Sequence, residues 1–395
     1  MTRVTTGLTS RTWILDDRDL DPLAALGPGG FAWFAGGLAL ATSGVAARVR
    51  PVEAGDVLAE IAGENPLGEP GTGPLAVGAL GFDGRQRLVI PARVVGRTAA
   101  GLAWVTEVGP GDDAAAAWPP VPTAATPDRL DRDGWRAAVN EALDRIAAGR
   151  LDKVVLAREV TIALRGPVTV AAVLDRLRRD QPECFTYGAG SYVGASPELL
   201  ARRRGRQVVS RPMAGTAAQG DRNGDDRRRV AAMAASAKEQ AEHRLVVDEV
   251  RARLGALSDG PVRAHGPEIF RLSTVAHLAT TVTCRLRDPG VSALDVAAQL
   301  HPTPAVAGVP RVAALAAIVE LEGFDRGLYA GPVGWVDARG DGDWAVALRG
   351  ATLDPGGRRA RLTAGAGIVA GSDPEAEWDE TEAKLASMRA ALTGG

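Results

Sequence analysis

Cysteines and aromatic side chains are scarce in this 395-residue chain, and neither sign of charge is in clear excess. The two cysteines, Cys184 and Cys284, do not form a Cys-x-x-Cys pair. A disulfide framework and a thiolate zinc site are therefore not expected, which is consistent with a reducing cytoplasm. The formal net charge of -2 gives no electrostatic reason to expect nucleic-acid binding. No Lys- and Arg-rich tract alternates with aromatic residues, which argues against it too.

Long apolar runs are also missing. The first residues lack the apolar core of a signal peptide, and no later run is long enough to cross a membrane. The length suggests two or three domains, although interleaved elements could still form one unit. We expect a β-rich segment with a Pro- and Ala-rich connector at residues 1–127, packed into the same unit as residues 128–395, which carry the motifs described below.

Short β-rich segments divided by Gly and Pro fill the first 109 residues. The pattern predicts strands over residues 75–80, 87–95 and 102–108. Residues 109–127 contain too much Pro for a helix or a central strand, so we expect a connector there. After it, the periodicity predicts a helix over residues 133–148.

A stretch near the C-terminus, residues 363–384, is predicted to form a glycine turn, a short apolar segment and a helix. Either Ser372 or Asp373 could cap this helix, and Pro374 fits its first position. On a helix that ends near residue 392, the spacing places Glu377, Glu380 and Lys384 on one stripe beside the core-facing side chains. Gly365 supplies backbone that an anion can approach closely.

A second helix, predicted over residues 225–257, repeats the Glu-x-x-Glu spacing with Glu239 and Glu242. A single pair of this kind is most often a solvated helix face. Two helices that each carry one could instead hold a hard divalent cation, because Mg²⁺ prefers oxygen ligands and takes only one or two carboxylates directly. We therefore expect one glutamate of each helix to contact the metal and the other to act through water.

Lys153 enters an apolar strand predicted over residues 151–162. A lysine in this position usually lies at the mouth of the strand, with its ammonium group in solvent. The alternative is a closed pocket, where loss of hydration favours the neutral amine and lets it act as a base. The residues alone leave both interpretations open.

Several turn residues are also candidates. Taken alone, Glu198 is an ordinary polar residue after the turn at residues 194–197. Residues 208–216 are predicted to be a strand that runs into a Gly-Thr turn, so Gly215 and Thr216 could present amides to an anion. The polar residues 216–229 are a candidate lid that closes over bound substrate.

Three further candidates lie in apolar segments. His277 is in a predicted strand over residues 272–286, where a lone histidine is more often part of the core than functional. Tyr329 and Arg349 belong to two predicted neighbouring strands, over residues 327–335 and 344–353, so they could reach the same site. Arg349 could equally pair with a structural acid.

Seven motifs follow one another along the chain: KVVLAR from Lys153, GASPELL from Gly194, RPMAGT from Arg211, EHRLVVD from Glu242, HPTPAVAGVP from His301, ALRGATL from Ala347 and GAGIVAGSDPEAEWDETEAKL from Gly365. In this order they resemble the motifs of the chorismate-utilising enzymes, and within them the isochorismate synthases. The resemblance is strong over about residues 131–392 and loose over the first 125. One such motif would be weak evidence, whereas seven in order are specific.

The resemblance implies one α+β unit of two packed, largely antiparallel β-sheets with helices outside. It also implies Mg²⁺-dependent conversion of chorismate to isochorismate. In this reaction Lys153 would activate water for attack at ring C2, and Glu198 would protonate the departing C4 hydroxyl. The implied metal ligands are Glu242 and Glu380 directly, with Glu239 and Glu377 in support.

The resemblance also implies how the two substrate carboxylates are held. Tyr329 and Arg349 would face the enolpyruvyl carboxylate, and the metal would hold the ring carboxylate. The residues expected to complete substrate binding are Lys384 and the amides of Gly215, Thr216 and Gly365 for the dianion, with His277, Ala305 and Val306 lining the ring.

The branch of the family is predicted from two positions. Lys153 together with Ala214 favours water as the nucleophile, because the anthranilate and aminodeoxychorismate synthases, which take ammonia from a glutaminase partner, commonly differ there. Salicylate synthases keep the lysine and add pyruvate elimination, so they are the second interpretation. A binding module without turnover would show a broken set of Lys and Glu residues, and here the set is intact. We expect a cytoplasmic monomer without a glutaminase subunit, serving a menaquinone or a siderophore pathway.

Overall fold

Two large β-sheets form the body of the molecule in the computed structural model, which describes residues 7–84, 88–109, 128, 130–219 and 225–394. Within these ranges the strands up to residue 109 are β1 Thr9–Leu15, β2 Phe31–Ala35, β3 Leu38–Ser43, β4 Ala47–Val49, β5 Ala62–Glu64, β6 Leu75–Ala79, β7 Leu88–Ile90, β8 Arg93–Thr98 and β9 Ala103–Gly109. The later strands are β10 Lys153–Ala163, β11 Phe185–Ala189, β12 Tyr192–Ser196, β13 Leu199–Arg204, β14 Gln207–Arg211, β15 Met213–Ala218, β16 Arg263–Arg271, β17 Val275–Arg285, β18 Gly308–Val309, β19 Pro332–Asp337, β20 Gly342–Val346, β21 Gly350–Leu353 and β22 Arg359–Val369. The α-helices are α1 Ala54–Glu60, α2 Arg132–Ala147, α3 Val170–Asp180, α4 Asp225–Ala235, α5 Ala237–Leu257, α6 Ala293–Leu300, α7 Arg311–Glu322 and α8 Pro374–Thr393.

Both sheets interleave strands from distant parts of the chain. The larger sheet has 12 strands in the order β18-β10-β22-β21-β12-β11-β2-β3-β8-β9-β1-β5. The smaller has 10, in the order β15-β17-β14-β13-β20-β19-β6-β7-β4 with β16 on β17. Among the described strands, neighbours pair antiparallel, apart from the parallel pair β1 and β5. The predicted fold, α+β with two packed and largely antiparallel sheets, is confirmed.

A cluster of large apolar side chains joins the two sheets. Phe31, Trp33 and Tyr187 enter it from the larger sheet, and Val77 and Trp335 enter it from the smaller one. All five are completely removed from solvent. Burial of aromatic side chains is among the largest favourable contributions to folding, so this cluster fixes how the sheets face each other.

The helices cover the outer faces and bring two acidic segments together. Helix α5 packs on β15 and β17 of the smaller sheet, whereas α8 packs on β22 of the larger sheet and also reaches β15. Helix α8 begins as predicted, because the Asp373 carboxylate accepts a hydrogen bond from the Ala376 amide and Pro374 occupies the first turn. Leu385 and Met388 anchor it in the core. The Glu-x-x-Glu segments of the two helices therefore lie next to each other.

Two predicted elements are interrupted in the structure, and a third begins one residue earlier than predicted. The predicted strand over residues 87–95 is two strands, β7 and β8, because Pro91 lacks the N–H that a central ladder needs. The predicted helix over residues 225–257 is interrupted at Ser236, whose extended backbone and hydroxyl cap start α5. Helix α2, expected over residues 133–148, is found one residue earlier, with Asp131 as its cap.

The predicted Gly-Thr turn after residue 214 is wrong. Strand β15 continues through Gly215 and Thr216 by means of a bulge, at which Gly215 takes a φ of 78°. The predicted strand over residues 344–353 is also interrupted, because Arg349 adopts a φ of 51° between β20 and β21. Such a left-handed conformation costs a non-glycine residue about 1–2 kcal/mol.

Part of two predicted segments lies outside the described residues. The connector falls almost entirely at residues 110–127, and the candidate lid includes residues 220–224. Within the described ranges, no helix is both long and apolar enough to span a membrane.

Candidate active site

A cleft with a cavity volume of about 70 Å³ opens where β10 and β22 of the larger sheet face β15 and β17 of the smaller one. Helices α5 and α8 each contribute to its wall. The predicted site residues that line the cleft are Glu198, Gly215, Thr216, Glu242, His277, Ala305, Val306, Tyr329, Arg349, Gly365, Glu380 and Lys384. Residues up to 186 positions apart in the sequence, from Glu198 to Lys384, are thus brought to one cavity.

Lys153 lies directly behind this wall. It is the first residue of β10, its side chain is 1% exposed, and its Nζ is 2.8 Å from Oε1 of Glu242. The solvent-exposed interpretation of Lys153 is therefore wrong, because the ammonium group is buried against a carboxylate. Gly367 leaves the room for this contact, since a Cβ at that position would come within 2.5 Å of the same oxygen.

Glu198 faces the cleft from the short link between β12 and β13. It is 3% exposed, and burial raises the pKa of its carboxyl to about 8 despite the nearby ammonium of Lys153 and the Met213 amide. At neutral pH the carboxyl therefore carries a proton that it can give to a bound molecule. A carboxyl in this state is suited to act as a general acid.

His277 and Arg349 form a hydrogen-bonded pair in the wall of the cleft. The Nδ1–H of His277 donates to the carbonyl oxygen of Gly215 at 3.0 Å, and its Nε2 accepts from the Arg349 guanidinium at 2.8 Å. Burial first, and then the charges of Arg349 and Lys384, hold the pKa of His277 well below its ordinary value. The imidazole is therefore neutral and orients Arg349 into the cleft.

Tyr329 and Lys384 meet at Gly365. Burial raises the pKa of the Tyr329 phenol to about 12, so it remains a hydroxyl. The ammonium of Lys384 donates to the carbonyl oxygen of Gly365 at 2.8 Å and also contacts Glu380. Thr216 differs from its predicted role in one respect: its amide already donates to Glu239 at 3.2 Å.

The four predicted metal ligands come from the two neighbouring helices, Glu239 and Glu242 from α5 and Glu377 and Glu380 from α8. Burial and then Glu242 raise the pKa of Glu239 to about 7. Burial and then the Glu380 carboxylate raise the pKa of Glu377 as well. These carboxylates interact closely, so a nearby cation is needed to keep them all ionised.

Lysines supply that charge in the structure. The Nζ of Lys153 lies near Glu242, and the Nζ of Lys238 is 3.1 Å from Oε1 of Glu377. In the described part of the chain, no three His, Cys, Asp or Glu side chains are grouped as a ready metal site. The donor set nevertheless fits Mg²⁺, which takes one or two carboxylates and completes its shell with water or substrate oxygens.

Sequence reasoning missed two charged residues that shape the site. One is Lys238, which precedes Glu239 in the chain. The other is Arg326, whose guanidinium donates to the carbonyl oxygens of Val306 at 2.7 Å and Val155 at 2.8 Å. Arg326 is itself held by a buried ion pair with Glu322. The i,i+4 spacing of Glu322 and Arg326 was the available signal.

Comparisons with known proteins all find similarity to enzymes that bind chorismate or make isochorismate. A family model described as chorismate binding enzyme matches residues 111–393. The MenF protein of Mycobacterium tuberculosis (strain ATCC 25618 / H37Rv) is 42% identical over 337 residues, covering 82% of this chain and 87% of that protein. Isochorismate synthase DhbC of Bacillus subtilis (strain 168) is 40% identical over 271 residues, covering 66% of this chain and 68% of the relative. The solved structure of MenF, the menaquinone-specific isochorismate synthase from Escherichia coli, matches with a TM-score of 0.81 at 27% identity, covering 98% of this chain and 95% of the other.

Proposed function

This chain belongs to the chorismate-binding enzyme family, and on that premise we propose that it is a Mg²⁺-dependent isochorismate synthase. The observation that carries the proposal is Glu198, a buried carboxyl that faces the cleft and holds its proton at neutral pH. Loss of the C4 hydroxyl from chorismate requires such an acid. Relatives named as isochorismate synthases, in Bacillus subtilis and Escherichia coli, support this choice of reaction.

In the proposed reaction Lys153 is the base and Glu198 is the acid. Lys153, as the free amine, accepts a proton from water while the water oxygen forms a bond to ring C2. The ring double bonds shift, the C4–O bond breaks, and Glu198 protonates the departing oxygen. One water molecule enters and one leaves, so the net reaction is an isomerisation. For this role the Nζ of Lys153 must first give up its contact with Glu242.

Substrate binding follows from the charges around the cleft. Arg349 and Tyr329 would hold the enolpyruvyl carboxylate, with His277 fixing the direction of the guanidinium. Lys384 would contribute to binding the ring end of the dianion. When bound at Glu242 and Glu380, with Glu239 and Glu377 acting through water, Mg²⁺ would supply the positive charge opposite the ring carboxylate. His277 and the turn at Ala305 and Val306 would pack against the ring.

Water is the proposed nucleophile. In this proposal Lys153 activates it, and the small side chain of Ala214 lines the cleft without adding a charge. The reaction therefore needs no ammonia and no glutaminase subunit, and we expect the chain to act as a monomer. Both menaquinone and siderophore pathways use isochorismate, and the relatives include enzymes named for each.

The test is to incubate the protein with chorismate and Mg²⁺ in the absence of ammonia and to resolve the products by chromatography. We expect isochorismate to accumulate as the single product. Salicylate would instead identify the pyruvate-eliminating branch of the family. Anthranilate formed on addition of ammonia, or chorismate recovered unchanged, would contradict the proposal.

A further inference from the structure

Three glutamate–lysine contacts surround the carboxylates of α5 and α8. The Nζ of Lys153 lies 2.8 Å from Glu242, Lys384 contacts Glu380, and the Nζ of Lys238 lies 3.1 Å from Glu377. The chain of 395 residues has only these three lysines, although it has 46 basic residues in total. All the other residues among these 46 are arginines.

Lysine and arginine differ in a way that matters here. The guanidinium group of arginine is a planar fork that binds a carboxylate through two hydrogen bonds and holds it. The ammonium group of lysine is a compact, strongly hydrated charge on a flexible stem, so it can leave a carboxylate more readily. The lysine ammonium groups at the proposed Mg²⁺ site are therefore cations that can be displaced from their carboxylates.

Lys238 differs from the other two lysines. Lys153 is completely buried and Lys384 is also held by the carbonyl oxygen of Gly365. The side chain of Lys238 is 34% exposed, and its described ion pairs are with Glu377 and, at 3.9 Å, with Glu239. It can therefore swing into solvent without breaking a contact to the substrate-binding wall.

A second, outer pocket gives a route to this position. The pocket is lined by Thr216, Ala218, Lys238, Glu239, Ala376, Glu377, Asp379, Glu380 and Ala383. It shares Thr216 and Glu380 with the cleft, so the Glu380 carboxylate can be reached from both pockets. Four acidic residues line it against one lysine, a balance that attracts cations and repels a dianion such as chorismate.

We propose that Lys238 is a built-in counter-cation, which a divalent metal ion entering through the outer pocket displaces from Glu377. The inference rests on the metal site assigned under the proposed function. While no metal is bound, Lys238 offsets the repulsion between the buried carboxylates. When the metal binds, it takes over this role and the ammonium group moves away from Glu377.

The proposal predicts the direction in which Lys238 changes the affinity for a divalent metal ion. Lys238 competes for Glu377 and also repels a divalent ion, so it weakens metal binding. Removing its charge should tighten binding by at least about fivefold, since even a well-screened unit charge near a divalent ion contributes on the order of 1 kcal/mol. A residue with a purely structural role would leave the affinity unchanged or reduce it.

The experiment measures Mg²⁺ binding directly, by isothermal titration calorimetry on the full chain without substrate. Lys238→Met should bind Mg²⁺ at least about fivefold more tightly than the wild type. Lys238→Arg keeps the charge and grips Glu377 more firmly, so it should bind no more tightly than the wild type. Arg244→Gln removes one charge from an exposed position of the same helix and controls for net charge.

A second measurement follows Lys238 itself. Because the chain has three lysines, ¹³C-lysine labelling gives three side-chain signals, and the Lys238 signal is the one missing in Lys238→Met. Addition of Mg²⁺ should shift this signal with the same dissociation constant as the calorimetry. A Lys238 signal that is unmoved at saturating Mg²⁺ would overturn the displacement.

The outcomes separate the two proposals. Unchanged or weaker Mg²⁺ binding by Lys238→Met overturns the role of Lys238, even if isochorismate is formed normally. Tighter binding by Lys238→Met in a protein that makes no isochorismate supports the role of Lys238 and overturns the proposed reaction. A wild-type protein that binds no Mg²⁺ overturns the displacement and the metal requirement together.

Discussion

The ammonium group of Lys153 lies 2.8 Å from Oε1 of Glu242, although one residue starts β10 of the larger sheet and the other belongs to a helix on the smaller sheet. The proposed base and a proposed metal ligand therefore hold each other. A base cannot accept a proton from water while it is bound as an ammonium ion to a carboxylate. Activity should thus depend on separating this pair, which connects the charge of the carboxylate cluster to the chemistry.

Two substitutions of Lys153 separate its charge from its basicity. Lys153→Met removes both, and Lys153→Arg keeps the positive charge beside Glu242 but cannot release a proton near neutral pH. Both should lower kcat for isochorismate formation by about 100- to 10,000-fold, because general-base catalysis contributes about that much. Chromatography of the product measures the rate, and circular dichroism checks the fold. A near-normal rate in Lys153→Arg would show that the residue is not the base.

The raised pKa of Glu198 predicts a pH dependence of both rate and stability. The acid must be protonated, so kcat should fall as the pH rises through about 8. Its pKa in the folded chain lies above the unfolded value of 4.5, so the folded state binds the proton more tightly. Its contribution to stability is therefore complete below about pH 4.5 and is lost as the pH rises towards 8.

Glu198→Gln tests this assignment. The variant should lose about 100- to 10,000-fold in kcat and should show a weaker decrease of Tm between pH 5 and 8 than the wild type. Comparison with the wild type is needed because Glu239, with a pKa of about 7, titrates in the same range. Parallel melting curves for the two proteins across this range would mean that Glu198 is not the group with the raised pKa.

Gly367→Ala should disturb the site without unfolding the chain. The added Cβ would lie 2.5 Å from Glu242 Oε1 and 3.1 Å from Lys153 Cε, and both are far ends of flexible side chains that can move. We expect kcat to fall at least about tenfold, because misplacement of catalytic groups by an ångström costs about this much or more. Gly255→Ala in α5 is the matched control, since its Cβ would meet nothing within 4 Å. The control should keep its activity and gain up to about 1 kcal/mol in the free energy of unfolding. Equal activity of the two variants would argue that the Lys153–Glu242 geometry is unimportant.

Arg326→Met should be strongly destabilising. It leaves the buried carboxylate of Glu322 without its partner, which typically costs about 3–5 kcal/mol in the free energy of unfolding. It also releases the carbonyl oxygens of Val306 and Val155, both of which belong to residues that line the cleft. Urea denaturation measures the first effect, and KM for chorismate in the folded fraction measures the second.

A surface arginine is the comparison for Arg326. Arg145 pairs with Glu141 and Glu320 near solvent, so Arg145→Met should cost less than about 1 kcal/mol. The double variant Glu322→Gln with Arg326→Met should recover part of the loss, because no buried charge remains unpaired. Similar losses in Arg145→Met and Arg326→Met would contradict a special role for the buried pair.

The local sequence was sufficient to predict elements that are determined by residues close together in the chain. The Asp373 cap, Pro374 and the apolar stripe are all within one helix, and α8 was predicted within a residue of its observed end. The α5 break at Ser236 was missed, because a capping serine inside a long polar helix resembles any other helical serine. The Gly215 bulge was missed because it depends on the register with β17, a strand some 60 residues later.

The protonation states and ion pairs of the site residues could not be predicted from the local sequence. The burial of Glu198 is produced by the packing of two sheets, so the turn around it carries no sign of a pKa near 8. The partner of Lys153 is 89 residues away on another element. The resemblance to a family supplied the positions of these residues, whereas their contacts required the folded chain.

The interleaving of strands limits how this enzyme can be divided. Strand β2 pairs with β11 in the interior of one sheet, and β6 pairs with β19 in the interior of the other. A fragment beginning at residue 128 would lack both N-terminal partners and would expose two long rows of unpaired backbone amides and carbonyls. Such edges recruit other chains, so truncation at the connector should give an insoluble product instead of a smaller working catalyst.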